Sequence, residues 1–423
     1  MATALCQYLL RKIVSGAPKH KYAMTTEFQI SRKASIPRTV WVLGLVSLFM
    51  DFSSELVHAL LPIYLVTTMG MSVAAFGVLE GVAEATAMIV KVFSGAISDW
   101  LGRRKGLLLL GYGLSALTKP LFALATSPAI VVSARLLDRA GKGIRGAPRD
   151  ALIADVAPTE IRGACFGLRQ SMDTIGALLG PLLAILLMFW FSDQIRVVLW
   201  FAVAPAFVAI ALIVFCVRES PAEGGTQGFR SPLHWRSLTE FSSRYWRVVA
   251  VGSAFALARF SEAFLVLRAQ QSGLSIAWIP GVMVVMSLTY TVSAWPVGML
   301  SDRMDRRTLL AIGMLLLISA DLILGANRTI SSMFVGVALW GLHMGFTQGT
   351  LATMVSESSP AALRGTAFGM FNLIGGLSML LASAIAGAMW EYFGASVTFY
   401  AGAALVLVPL SLCWCLPRST SRA

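Results

Sequence analysis

The chain has 423 residues, of which 57% are hydrophobic and only 13% are charged, and its mean hydropathy is +0.75. A soluble protein of this length needs far more polar surface, so the composition excludes a soluble globular protein and indicates a chain that crosses a membrane many times. The formal net charge of +13 at pH 7 would suit a nucleic-acid-binding protein, but the distribution of the basic residues, described below, argues against that function.

Twelve apolar runs follow one another along the chain, and each is long enough for a helix across a hydrocarbon core, which needs about 20 residues. They are 39–66, 73–98, 106–126, 128–147, 161–190, 197–217, 248–268, 277–298, 309–326, 331–354, 364–389 and 394–416. Helices satisfy their own backbone hydrogen bonds in lipid. The sequence therefore predicts an all-α membrane protein with twelve transmembrane helices.

The basic residues predict the orientation of these spans. Lys and Arg concentrate in the tails and in the loops on one side, whereas only Arg196 and Arg328 fall in loops on the other side. In multi-pass membrane proteins the side rich in Lys and Arg is cytoplasmic. We therefore expect both termini in the cytoplasm, a location in the bacterial inner (plasma) membrane, and no binding to nucleic acid.

Two segments of the first half recur in the second half at almost the same offset. Gly95–Arg104 recurs as Gly298–Arg307 with an offset of 203, and Asp155–Gly167 recurs as Glu357–Gly369 with an offset of 202. Parallel repeats of this kind mark many transporter folds. The predicted domains are a cytoplasmic tail (1–37), a six-helix bundle (38–217), a cytoplasmic linker (218–247), a second six-helix bundle (248–416) and a C-terminal tail (417–423).

The first repeated segment carries the pattern Gly-x3-Asp-x2-Gly-Arg-Arg in the loop between predicted helices 2 and 3. This pattern resembles the loop signature of the major facilitator superfamily, and its second copy strengthens the resemblance. The resemblance implies a fold of two six-helix halves, with these loops holding the halves together on the cytoplasmic side. The gating residues it implies are Gly95, Asp99, Gly102, Arg103, Arg104, Gly298, Asp302, Arg306 and Arg307.

Two further motifs are similar to those of the same superfamily. Gly176-x3-Gly180-Pro181 on predicted helix 5 resembles the antiporter motif, although its trailing Gly pair is missing. Arg135 matches the helix-4 Arg of proton-coupled members, and the run from Asp138 to Asp150 resembles a bacterial subgroup of sugar- or drug-efflux-like carriers. The resemblance thus implies a proton-coupled carrier, and the helix-5 motif favours export.

Thirteen charged residues are counted as lying well inside the predicted spans, away from their ends, and eleven of them belong to the first half. An isolated charge at the bilayer centre costs about 3 kcal/mol, so these residues must pair with one another or face water. They also form helical stripes, because Asp51, Glu55 and His58 follow the spacing i, i+4, i+7, and Arg135, Asp138 and Arg139 follow i, i+3, i+4. We expect each stripe to face the interior of the bundle.

These stripes predict the functional site. A proton carrier must alternate between a charged and a neutral form, so the candidates are acids near the middle of the spans: Asp51, Glu55, Glu80, Glu84 and Asp173. The predicted substrate cavity is formed by Arg135, Asp138, Arg139, Arg169, Arg259, Glu262 and His343. The alternative is that these charges pair between helices only to stabilise packing.

No cofactor is expected from the sequence. Glu55 and His58, with Glu80 and Glu84 opposite, could hold a hard cation or a metal chelate, but oxygen ligands on two helices are a weak signal, and we predict no metal site. The five Cys residues show no metal-ligand spacing and are predicted to be free thiols. There is no phosphate-binding Gly-Lys loop and no nucleophile–base pair, so we expect neither ATP hydrolysis nor an enzyme.

The sequence therefore predicts a secondary active transporter that moves a small solute by alternating access, coupled to protons, with export favoured. One alternative is a proton-coupled uptake symporter for an organic anion or a metal chelate. An alternative from another class is a membrane sensor that binds a solute without transporting it. The expected partners are the solute, protons and the lipid bilayer, and the expected oligomeric state is a monomer.

Overall fold

The structure, a computed structural model, describes residues 35–101, 103–158, 161–217, 239–301, 304–326, 329–360 and 363–416. Residues 1–34, most of the predicted linker, the predicted C-terminal tail, Gly102 and Asp302 lie outside the described residues. The side chains of Asp99, Arg162, Trp295 and Arg364 also lie outside them.

The described part of the chain is helical and contains no strand. Its helices are α1 (Arg38–Ile63), α2 (Val73–Leu101), α3 (Lys105–Leu124), α4 (Pro128–Val156), α5 (Arg162–Trp190), α6a (Ile195–Trp200), α6b (Val203–Cys216), α7a (Ser243–Ala258), α7b (Ala263–Gln271), α8 (Gly281–Ser301), α9 (Arg306–Ala326), α10 (Ile330–Ser358), α11 (Arg364–Phe393) and α12 (Ala395–Cys413). Each predicted span coincides with one helix or with one interrupted pair, which confirms the all-α prediction.

Eleven helices in the described ranges are long and apolar enough to cross a membrane. Helix α4 is not one of them, because its sequence carries Arg135, Asp138, Arg139, Lys142, Arg145, Arg149 and Asp150. Four of these side chains are buried against neighbouring helices: Arg135, Asp138, Arg139 and Arg145. A charged helix can cross a bilayer when its charges face protein or water instead of lipid. The predicted total of twelve spans therefore requires that α4 is the twelfth.

The helices before and after residue 239 repeat the same pairings. In the first set α2 and α3 pack on α4, and α1 packs on α5 and α6b; in the second set α8 and α9 pack on α10, and α7a packs on α11 and α12. The two sets meet where α2 packs on α11 and where α5 packs on α8. The internal repeat of the sequence is therefore also a repeat of the helix packing.

The repeated loops form the same ion pair in both copies. The Arg104 Nε donates a hydrogen bond to Asp155 Oδ2 at 2.6 Å, and Arg306 pairs with Glu357 in the second copy. By sequence alone Arg104 aligns with Arg307, but the structure matches it with Arg306. The structural equivalence of the two arginines therefore differs by one residue from the alignment of the two sequence motifs. Sequence spacing alone does not show which Arg reaches the acid.

The two sets of helices also touch at the end of the bundle opposite to the Gly95–Arg104 loop, which we call the distal end. There Thr67 Oγ1 donates to Gln270 Oε1 at 3.0 Å, and the backbone N–H of Val73 donates to Glu391 Oε2 at 2.8 Å. Both hydrogen bonds join the first half of the chain to the second half. The halves are therefore in contact at the distal end.

The close approach of α2 to α11 depends on glycine. A Cβ atom added at Gly81 would lie 2.7 Å from the carbonyl oxygen of Leu380, and one at Gly77 would meet the carbonyl oxygen of Ser383. Both obstacles are backbone atoms, which cannot rotate away as a side chain can. The backbones of the two halves thus pack directly on each other, as small residues allow in membrane helices.

We expect Gly81→Ala to destabilise the protein by about 1–3 kcal/mol, because the added methyl group forces the α2–α11 backbones apart. Unfolding in mixed micelles with increasing sodium dodecyl sulfate measures the effect. Gly113→Ala on α3 is the matched control, since a Cβ there meets open space and Ala is intrinsically the better helix residue. Equal stability of the two variants would contradict a direct backbone contact.

Candidate functional site

The second half contains a helix that is interrupted near the middle of its span, between Ala258 and Ala263. Non-helical backbone at membrane depth persists only where protein or water satisfies its polar groups. Here the Ser261 N–H donates to Ser383 Oγ at 3.2 Å, and the Ser261 hydroxyl donates to Glu80 Oε2 at 3.1 Å. The interruption therefore brings the second half into contact with a buried acid of the first half.

Glu80 forms the most buried ion pair among the described residues, with Arg135. Arg135 donates from Nε to Glu80 Oε1 at 3.0 Å and from Nη2 to Oε2 at 2.9 Å, and the side chains are 3% and 1% exposed. This forked geometry is the strongest arrangement available to an Arg–carboxylate pair. His58 Nε2 lies 3.7 Å from the same Oε2. Glu80 thus links α1, α2, α4 and the interrupted helix of the second half.

Two more ion pairs hold α4 to its neighbours. Arg139 Nη1 lies 3.0 Å from Glu84 Oε1 on α2. Lys119 Nζ on α3 donates to Asp138 Oδ1 and to Ser54 Oγ, both at 3.0 Å. The charged stripe of α4 therefore pairs with two different helices, α2 through Glu84 and α3 through Lys119.

A third cluster lies where α4 meets α5. Arg169 pairs with Asp173 one helical turn away, and Arg149 Nη1 lies 3.7 Å from the same carboxylate. Asp150 accepts a hydrogen bond from Arg149 Nε at 3.3 Å and lies 3.7 Å from Arg169 Nε. Each of the two acids is thus shared by the two guanidinium groups.

The predicted site residues of the second half divide into two places. Arg259 and Glu262 pair at 3.1 Å beside the interruption of α7. His343 is fully buried, with its ring 5.4 Å from that of Trp340 and 6.2 Å from that of Phe255. His343 therefore lies in the aromatic interior of the second half.

Asp51 differs from the other predicted acids. Glu55 is 3.4 Å from His58 Nδ1, and Glu80, Glu84 and Asp173 pair with Arg residues as described. Asp51 forms no ion pair with any basic side chain in the part of the chain that the structure describes. It faces a cavity instead.

This cavity, which we call the central cavity, has a volume of about 400 Å³ and lies between α1, α2, α4 and α5 of the first half and α8 of the second. Three predicted acids reach its wall: Asp51, Glu84 and Asp173. The wall also contains Met88, Lys91, Lys142, Arg145, Arg149, Gln170, Thr174, Ser287, Tyr290 and Thr291. Its charged side chains all come from the first half, while α8 contributes hydroxyl groups.

A second cavity of about 370 Å³, here called the aromatic pocket, adjoins the first. It is lined by Met88, Gly252, Phe255, Arg259, Thr347, Gln348, Leu351, Phe368, Phe371, Asn372 and Met379, among others. Met88 lines both cavities, and the Tyr290 hydroxyl donates to Gln348 Oε1 at 3.1 Å between them. The two cavities together combine a charged wall with an aromatic wall, at the junction of the halves.

Four basic residues of the central cavity were not among the predicted site residues: Lys91, Lys142, Arg145 and Arg149. Lys142 completes the spacing i, i+3, i+4, i+7 from Arg135. The helical periodicity of α4 therefore already placed Lys142 on the same face as Arg135. The other three lie closer to the Gly95–Arg104 loop, where basic residues are common and carry little specific signal.

The glycine motif on α5 has a packing role in the structure. A Cβ at Gly180 would lie 2.7 Å from the Phe52 carbonyl oxygen of α1, and one at Gly176 would meet the Leu48 carbonyl oxygen. The motif therefore lets α1 and α5 approach closely. This contact holds Asp51 on α1 beside Asp173 on α5 at the cavity wall.

Comparisons with known proteins agree with this architecture. An uncharacterized MFS-type transporter of Methanocaldococcus jannaschii is 30% identical over 380 residues, which cover 88% of this chain and 93% of the relative. A probable 4-methylmuconolactone transporter of Cupriavidus pinatubonensis is 26% identical and covers 77% of both chains.

Solved structures share the fold at low sequence identity. The human organic anion transporter MFSD10 (TETRAN) superposes with a TM-score of 0.63 at 20% identity, over 89% of this chain and 99% of that one. A POT family transporter in complex with 5-aminolevulinic acid gives a TM-score of 0.75 at 13% identity, over 90% and 95% of the two chains.

The family model described as Major Facilitator Superfamily matches residues 43–285 and 265–423, which together include every helix from α2 to α12. The resemblance carried by the loop signature is confirmed by this match. Proteins of this kind are membrane transporters of small molecules, and the helices, the internal repeat and the cavity between the halves all conform to that architecture. The chain belongs to the major facilitator superfamily and is a multi-pass membrane transporter.

Proposed function

We propose that this protein is a secondary active transporter that couples the movement of a small solute to protons by alternating access. The observation that carries the proposal is the central cavity between the halves, which touch at the distal end. Its wall contains one acid, Asp51, that forms no ion pair among the described residues. A transporter of this type opens its cavity to one side at a time by rocking one half against the other.

Asp51 is the proposed proton carrier. A carboxylate that is locked in an ion pair is costly to neutralise, because its basic partner is then left buried and alone. Glu80, Glu84 and Asp173 each have an Arg partner. Asp51 has none among the described residues, and it borders a cavity through which a proton can arrive. It can therefore gain and lose a proton without breaking an ion pair.

The proposal includes the topology and the gate. Both termini and the Gly95–Arg104 loop face the cytoplasm of a bacterial inner membrane, the spans number twelve, and the protein acts as a monomer. Asp99 and Asp302 take part in opening and closing this side. The Arg104–Asp155 and Arg306–Glu357 pairs support the idea, because they tie the same loops to the ends of α4 and α10 in each half.

Export by proton antiport is the favoured direction, on the resemblance of the α5 motif to that of antiporters. Proton-coupled uptake of an organic anion or a metal chelate is the second candidate. Relatives are named for different compounds: a probable 4-methylmuconolactone transporter and a quinolone resistance protein of Staphylococcus aureus, which is 26% identical over 49% of this chain. Their names therefore support transport of small organic molecules without selecting one.

Purified protein in liposomes that contain a pH-sensitive dye tests this function. We expect some member of a chemically diverse solute panel to change the internal pH in a protein-dependent way, with opposite signs for symport and antiport. Empty liposomes are the control. Saturable solute binding in detergent, together with neither pH change nor solute flux in liposomes, would contradict transport and favour the sensor alternative.

A further inference from the structure

We propose that the solute is an amphiphilic organic anion, whose acidic head binds between Lys91 and Lys142 in the central cavity and whose apolar body occupies the aromatic pocket. This inference rests on the proposed transport function and names the substrate class of the same cavity. It is carried by the balance of unpaired charges on the cavity wall, by the placement of the two lysines, and by the character of the adjoining pocket.

The charges of the central cavity do not cancel once its ion pairs are taken into account. Glu84 pairs with Arg139, and Asp173 is shared by Arg149 and Arg169. Asp51 is therefore the one acid on the cavity wall that is not in an ion pair with a described residue.

The unpaired bases of the wall outnumber its one unpaired acid. Lys91, Lys142 and Arg145 form no ion pair with a carboxylate of the described residues. Arg145 is 4% exposed, donates to Ser115, and lies 4.8 Å from the centre of the Tyr112 ring, so it is already engaged inside the protein. The two lysines are exposed to the cavity, and they leave it with an excess of positive charge that suits an anion.

The two lysines flank a tight crossing of α2 and α4. A Cβ at Gly143 would lie 2.7 Å from the Val90 Cβ, so the backbones meet at the residues directly adjacent to Lys91 and Lys142. The stem of Lys91 runs along Gly146, with its Cε 3.4 Å from the position of a Cβ there. The crossing thus brings the two lysines to the wall of one cavity, on two helices of the same half.

The aromatic pocket suits the rest of such a solute. It continues from the central cavity at Met88, and Phe255, Leu351, Phe371 and Met379 contribute its apolar surface. Cavities of about 300–1,000 Å³ hold drug-sized ligands, with mostly apolar walls and a few polar groups that orient the ligand. In this pose the charged head contacts the first half and the apolar body contacts the second half. The solute would then bridge the interface at which the two halves move against each other.

Binding to the purified full-length protein in detergent tests the substrate class without any gradient. The probes are 2-naphthoate, 2-naphthalenesulfonate and 2-naphthyl phosphate, with the neutral 2-naphthamide and the cationic 2-naphthylmethylammonium as matched controls. We expect at least one anion to raise the melting temperature in a saturable way, and both controls to leave it unchanged.

Variants assign the binding to the two lysines. The double variant Lys91→Gln with Lys142→Gln should lower the affinity for the anion at least about tenfold. A hydrogen bond to a charged group contributes about 1.5–3 kcal/mol, and about 1.4 kcal/mol corresponds to a tenfold change in the dissociation constant. The corresponding Lys→Arg variants should retain binding because they keep the charge. Arg38→Gln removes one positive charge from an exposed site away from the cavity and should bind like the parent protein.

Three results would overturn the inference: no shift with any anion, a larger shift with the neutral or the cationic probe, or an anion affinity that the double Gln variant does not lower. The liposome assay separates this outcome from failure of the transport proposal. Lysine-dependent anion binding without any flux would refute transport but keep the anion site. Proton-coupled flux of a cation or neutral solute that the Gln variants leave intact would refute the anion site but keep transport.

Discussion

Arg135→Gln is expected to destabilise the protein by about 3–5 kcal/mol, because it leaves the Glu80 carboxylate buried without its positive partner. The Glu80 side chain is 1% exposed and the Arg135 side chain 3%, so water cannot replace the lost interaction. His58 and Ser261 still contact Glu80, but neither supplies the permanent, forked charge of a guanidinium group.

The double variant Glu80→Gln with Arg135→Gln should recover much of this loss, since two neutral amides can hydrogen-bond to each other at the same place. Unfolding in mixed micelles measures the four proteins of this double-mutant cycle. Arg259→Gln is the matched control, because its ion pair with Glu262 is more exposed, at 15% and 23%. Additive losses in the Glu80–Arg135 cycle would show that the two residues do not depend on each other.

Asp51→Asn is expected to abolish gradient-driven accumulation of the solute while solute-for-solute exchange continues. Asn has nearly the same shape as Asp but cannot carry a proton, so the variant stays fixed in the neutral form of the carrier. Exchange in liposomes should also lose its pH dependence. The solute that changes the internal pH in the liposome assay serves as the probe for both measurements.

Asp193→Asn is the control for this variant, because Asp193 lies in the exposed turn between α5 and α6a with a φ of 63°, a conformation that Asn adopts readily. It should transport like the parent protein. Retention of gradient-driven accumulation by Asp51→Asn would place the proton carrier elsewhere. Asp173 would then be the next residue to replace, since it lines the same cavity.

The helices themselves were predictable, and their interruptions were not. Apolar runs located every span, and most of the helix ends to within a few residues, because lipid imposes a length and a composition on any helix that crosses it. The same criterion missed the end of α4, which continues to Val156 past the predicted end at residue 147, since hydropathy does not detect a helix that continues among polar residues. It also missed the interruption of α7 at Arg259–Glu262, where the sequence contains neither Pro nor Gly.

By itself the sequence determined the class of protein, the internal repeat and the faces of the charged stripes. These properties follow from local rules, because burial of charge in lipid is costly and helical spacing assigns each side chain to a face. Only the tertiary structure decided which charges neutralise each other. Arg135 meets Glu80 while Lys119 meets Asp138, and Asp51 is left facing the central cavity. Pairing depends on how neighbouring helices are rotated and where they cross, and close backbone contacts such as those at Gly81 and Gly180 set that geometry.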